Sequence, residues 1–198
     1  TRASVAWTGL KTLWFNTGTL CNIECRNCYI LSSPKNDRLV YLTLADVMPY
    51  LDEVDRMTPD GVEIGITGGE PFMCPDILPI MEAILFREHS LLLLTNAMRP
   101  MMRPRIQEGL CRLRDNGLAE QLTLRVSLDS HDPALHDAER GDGAFEEACA
   151  GLRWLADEGF QVAIAGRQSL HEDEAAARAG YGALASSLGL SLDSADPK

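Results

Sequence analysis

Leu122-Thr123-Leu124-Arg125-Val126-Ser127-Leu128-Asp129 alternates without a break between apolar and polar residues. A strand turns successive side chains to opposite faces, so Leu122, Leu124, Val126 and Leu128 share one face and Thr123, Arg125, Ser127 and Asp129 the other. The apolar face fits under a layer of helices. Val62–Thr67 has the same parity, with Val62, Ile64 and Ile66 opposite Glu63, Gly65 and Thr67. A filled βα barrel would carry branched apolar residues at its inward positions. Polar residues there point either to an enclosed polar cavity or to the solvated face of an open sheet.

Outward from this strand, short apolar stretches alternate with helical ones, the signature of a parallel α/β sheet. Further strands are expected at Thr12–Thr17, at Gln161–Ala165, and at Leu91–Thr95, an apolar run that fits burial on both faces. A helix begins at Thr43, with Asp46 completing a capping box. Others are expected over Pro75–Phe86, Arg103–Asn116 (closed by Gly117), Ala144–Glu158 and Glu172–Leu188. The expected fold class is α/β, a partial (β/α)6-type TIM barrel with five βα units in view. A sixth strand would fall due at Leu192–Lys198. Residues 1–198 therefore read as one core domain incomplete at its C-terminus, with 189–198 as the start of a further region.

The 198 residues are enough for one compact domain, and 45% apolar with 24% charged is an ordinary globular balance. A net charge of −11 without a basic run argues against a nucleic-acid partner. No stretch has the apolar length of a membrane span, and Thr1–Leu10 has no signal-peptide core. The six cysteines include three within eight residues, which points to metal chemistry in a reducing compartment rather than to a disulfide scaffold. A cytoplasmic location is expected.

Those three stand in Cys21-Asn22-Ile23-Glu24-Cys25-Arg26-Asn27-Cys28, a C-x3-C-x2-C spacing that can bring thiolates to one metal centre. Three protein ligands on a [4Fe–4S] cluster leave one iron open, as catalysis requires. The loop follows the first strand, at the end where βα barrels place active sites. Zinc usually takes paired C-x2-C knuckles, and Cys74, Cys111 and Cys149 are isolated. A zinc- or cluster-binding interaction module without catalysis is the alternative reading. Thr67-Gly68-Gly69-Glu70-Pro71 follows the second strand; its glycines allow a bend and close approach to a ligand, and its Glu offers an acceptor for an ammonium group. A plain Gly-Gly turn before a helix is the other reading.

Together these motifs resemble the radical S-adenosylmethionine (SAM) superfamily, over most of the chain. The resemblance implies a [4Fe–4S] cluster on Cys21, Cys25 and Cys28, its fourth iron chelated by the amino and carboxylate groups of SAM. Gly68, Gly69 and Glu70 match the motif that bonds the SAM amino group. Asn27 holds a position near the adenine that is usually aromatic or apolar, with Tyr29 just beyond. Asn96 would line the pocket, Ser127 and Asp129 would contact ribose and carboxylate, and Arg167 would pair with the carboxylate. Gly65 stands where some members place a charged substrate-binding residue. Arg140-Gly141-Asp142-Gly143-Ala144-Phe145 matches a segment of structural role. His131 and His136 fall in the loop after the fourth strand and read as surface residues; Cys74 reads as a buried structural thiol.

The implied activity is reductive cleavage of SAM to a 5′-deoxyadenosyl radical, which abstracts hydrogen from a small-molecule or peptide substrate. The electron donor would be of the flavodoxin or ferredoxin kind, with neither nucleic acid nor membrane as partner. Sequence character is nearest to the branch holding molybdenum-cofactor GTP cyclases and SPASM/twitch-type peptide-modifying enzymes. A degenerate member that binds a cluster without turnover is the remaining alternative.

Overall fold

The computed structural model describes residues 3–4, 6, 8–58, 60–167 and 173–191. Along the chain run β1 (Thr12–Asn16), α1 (Leu44–Met57), β2 (Glu63–Thr67), α2 (Ile77–Leu85), β3 (Ser90–Thr95), α3 (Pro104–Asp115), β4 (Leu122–Ser127), α4 (Pro133–Arg140), α5 (Ala144–Asp157), β5 (Gln161–Ala165) and α6 (Glu174–Ser187). The five strands are parallel and lie in chain order, β1-β2-β3-β4-β5. β1 and β5 are the sheet edges among the described residues, so the barrel is partial and open. The positions expected for a sixth strand lie outside the described residues, as does Glu172.

The parity of β4 holds in three dimensions. Leu122, Leu124, Val126 and Leu128 are fully buried beneath the helices, while Thr123, Arg125 and Ser127 are half-buried on the other face. Burying each such apolar side chain contributes about 1.5–3 kcal/mol, which fixes the register against a one-residue slip. Helix α2 packs against the neighbouring strand β3 and buries Ile77, Ile80, Met81 and Ile84. The capping box of α1 forms as expected: Thr43 Oγ1 accepts from the Asp46 N–H at 3.3 Å, and the Asp46 carboxylate accepts from the Thr43 N–H at 2.9 Å.

Three expectations need correction. β3 is not buried on both faces: Leu91 and Leu93 are, but Leu92 and Leu94 lie half-exposed on the inner face. α2 starts two residues later than Pro75, because Pro71–Met73 first forms a 3-10 turn. The segment after β4 is not a plain loop but contains α4, begun by the Asp132 carboxylate, which accepts from Ala134 N–H and Leu135 N–H at 2.8 and 3.2 Å, with Pro133 at the first helical position. As a result His136 is completely buried rather than at the surface, edge-to-face against Phe145.

Candidate active site

The C-terminal ends of all five strands converge on one open cleft. Its walls carry Cys21, Cys25 and Cys28 after β1, Gly68 and Gly69 after β2, Asn96 after β3, Ser127 at the end of β4 and Arg167 after β5. That is the end of the sheet where βα folds bind ligands.

The cysteine loop and the glycine turn are stitched together by backbone. Gly69 N–H donates to the Gly18 carbonyl at 2.8 Å and Glu70 N–H to the Leu20 carbonyl at 3.1 Å. A Cβ on Gly69 would come within 2.2 Å of the Leu20 carbonyl oxygen, so only glycine permits this approach. Within the loop, Cys21 N–H donates to the Ser33 carbonyl at 3.2 Å and the Cys28 sulfur accepts from the Ser32 N–H at 3.2 Å. Far along the chain, Glu139 clasps the loop: its carbonyl accepts from Arg26 N–H at 2.8 Å and its carboxylate from the Asn27 amide at 2.6 Å.

Burial pushes the Cys21 thiol up to about 12, with a hydrogen bond at Ile23 opposing and the nearby Glu70 adding to the rise. Burial also raises Cys25, against the pull of the Arg140 guanidinium. Thiols so placed become ligands by exchanging a proton for metal charge. Among the described residues, no three His, Cys, Asp or Glu side chains close on a single ion. A cubane offers a separate iron to each of the three thiolates in the cleft. Ser32 Oγ is buried in the same cleft without a hydrogen-bond partner among the described residues, and is available to a bound group. The residues present thus fit the cluster and its ligand.

Glu70 lies behind the glycines, 1% exposed, and does not line the cleft. Its Oε1 accepts from Phe72 N–H (3.1 Å) and Thr95 Oγ1 (2.9 Å), and Oε2 from Asn96 N–H (2.8 Å). Burial lifts its carboxyl to about 7 in spite of these three bonds, and a lone pair on Oε2 remains for a cation. Asn96 turns its amide toward Cys21 Sγ at 3.9 Å and Asn22 Oδ1 at 2.9 Å. Tyr29 is 88% exposed at the cleft mouth.

Asp129 is buried and held by two arginines. Arg140 bonds it in bidentate fashion at 2.9 and 3.0 Å, and Arg167 Nε stands 3.1 Å away. Sequence reading gave Arg140 a structural role only; it lines the cleft instead, delivered there by the last turn of α4. The Asp132-Pro133 helix start was the signal for that placement. Cys74 is buried outside the cleft and donates to the Leu42 carbonyl at 3.2 Å.

Family comparison agrees with this geometry: the model of the radical SAM superfamily matches residues 15–174. The chain belongs to the radical SAM superfamily. Enzymes of this superfamily work with a [4Fe–4S] cluster and SAM. Among its relatives, the antilisterial bacteriocin subtilosin biosynthesis protein AlbA of Bacillus subtilis is 29% identical over 73% of this chain and 30% of its own length. The mycofactocin maturase MftC of Mycobacterium tuberculosis (strain H37Rv) is 31% identical over 82% of this chain and 40% of its own. The chain thus spans less than half the length of these radical SAM relatives. In fold it is similar to Streptococcus suis SuiB bound to SAM, with a TM-score of 0.72 and 17% identity over 92% of this chain and 39% of that one. SuiB has also been solved with its precursor peptide SuiA, at a TM-score of 0.71 and 16% identity over 92% of this chain and 38% of that one.

Proposed function

We propose that this chain is the catalytic core of a radical SAM enzyme acting on a peptide or small molecule, with Cys21, Cys25 and Cys28 as cluster ligands. The observation that carries the reading is the meeting of three thiols, the Gly68–Gly69 turn and Ser127 in one cleft at the C-terminal sheet end. When bound, cluster and SAM supply the chemistry: one-electron cleavage of the sulfonium, giving a 5′-deoxyadenosyl radical that takes hydrogen from substrate.

The chain's own residues bind and orient. The Gly68–Gly69 backbone in the cleft wall receives the SAM amino group, with the buried Glu70 carboxylate behind it as counter-charge. An ammonium beside Glu70 favours its ionised form, against the burial that raises it. Ser127 reaches ribose, and Asn27 and Tyr29 flank the adenine. Asp129 acts through the two arginines it holds, setting Arg167 and Arg140 toward the SAM carboxylate. Asn96 orients the Cys21 side of the loop.

A peptide substrate is supported by the character of AlbA, MftC and SuiB, and reduced free cysteines fit the cytoplasm and a flavodoxin or ferredoxin donor. After anaerobic reconstitution, dithionite and SAM are expected to yield 5′-deoxyadenosine, measured by liquid chromatography. Cys25→Ala is expected to lower the yield at least a hundredfold. Equal yields from wild type and Cys25→Ala would sink the assignment.

A further inference from the structure

Below the SAM site, the inner face of the sheet is built in rows. Trp14, Gly65, Leu92, Thr123 and Gln161 form one row, and Leu94, Arg125 and Ala163 belong to the next, toward the cleft. Trp14 packs so closely over Gly65 that a Cβ there would stand 2.4 Å from the indole, yet the ring is 46% exposed. With half-exposed Leu92 and Leu94 it makes an apolar floor.

Arg125 is the cation on that floor. It sits two residues from Ser127 on the same face, roughly 6–7 Å along the strand. It is half-buried and makes no hydrogen bond or ion pair among the described residues. A guanidinium partly removed from water without a counter-charge is costly. Among the described residues, neither carboxylate on this face is free to serve it. Asp129 is committed to Arg140 and Arg167, and Glu63, which accepts from Thr12 Oγ1 at 3.0 Å, aligns with Ser90, four residues or roughly 13 Å below the Leu94–Arg125 row.

We propose that Arg125 is a specificity residue that binds a carboxylate of the substrate, an apolar or aromatic part of which rests on Trp14, Leu92 and Leu94. One guanidinium matches a carboxylate with two parallel bonds. Its neighbours across the sheet, Leu94 and Ala163, offer no polar side chain for the extra bonds of a phosphate dianion. An apolar pocket with one placed charge is the usual form of a specific ligand site. This rests on the proposed function, since the site lies where a substrate would meet SAM.

The test uses phenylacetate and phenylacetamide as probes on cluster- and SAM-loaded protein, with binding read by ligand-observed NMR titration. Phenylacetate is expected to bind wild type at least tenfold more tightly than Arg125→Met, with Arg125→Lys between them. Phenylacetamide should bind both proteins equally weakly. Iron and sulfide per chain serve as the folding control. Phenylacetate binding that ignores Arg125, or an amide that binds wild type as well as the acid, overturns the inference. Its failure is separable from failure of the proposed function, which would show as missing 5′-deoxyadenosine in wild type.

Discussion

His136 shows how one side chain ties stability to pH. Its ring is buried, neither nitrogen has a hydrogen-bond partner among the described residues, and burial, reinforced by Arg140 and opposed by Asp129 and Asp137, holds its pKa below 6.5. A depressed histidine is neutral in the fold and takes a proton on unfolding, so its contribution is whole above pH 6.5 and is lost as pH falls below it. Urea denaturation is expected to show stability falling between pH 7 and 5.5, with a slope from this group of at most about 1.4 kcal/mol per pH unit. His136→Leu should flatten that slope; an unchanged slope would place the acid sensitivity elsewhere. At the same scale, Asp129 is less a ligand contact than an anchor. A buried carboxylate bonded by two guanidiniums sets both cations and keeps little capacity for a third partner.

Among the elements, those with strong periodicity were legible in advance. β5 follows from a short apolar run, the parity of β4 from alternation, and the start of α1 from Thr43 and Asp46. β3 was harder because Leu91–Leu94 put leucine on both its inner and outer faces, so composition carries no sign of which face is covered. α4 was missed because eight residues hold too few turns for a periodic signal, although the Asp132 cap marked its start. That miss hid Arg140 and Glu139, whose partners are 11 and 112 residues away in sequence. By contrast, the junction of β2 and the cysteine loop rests on a local fact, the absent side chain of Gly69. Gly69→Ala must displace the Leu20 carbonyl or the turn itself, and is expected to cost about 1–3 kcal/mol by chemical denaturation. Reconstituted iron per chain should fall with it. Wild-type stability and iron content in Gly69→Ala would contradict the tight junction.

At the scale of the molecule, an open parallel sheet places five strand ends around one cleft, and each delivers a different group to it. The cysteine spacing and the glycine turn were visible in sequence because both are contiguous; the arginine-carboxylate wall was not, because only the fold assembles it. The chain carries a net charge of −11, yet Arg140 and Arg167 in the cleft wall share a single carboxylate, Asp129, and Arg125 below them has no partner among the described residues. Local charge, not the total, decides what the cleft can hold. The central claim is that Cys21, Cys25 and Cys28 hold a [4Fe–4S] cluster with one iron left for SAM. Its most direct test is iron and acid-labile sulfide per chain after anaerobic reconstitution, read with the low-temperature electron paramagnetic resonance of the reduced protein before and after SAM. The account predicts about four of each per chain and a signal that SAM alters. A single zinc without sulfide, or a cluster signal indifferent to SAM, would contradict it.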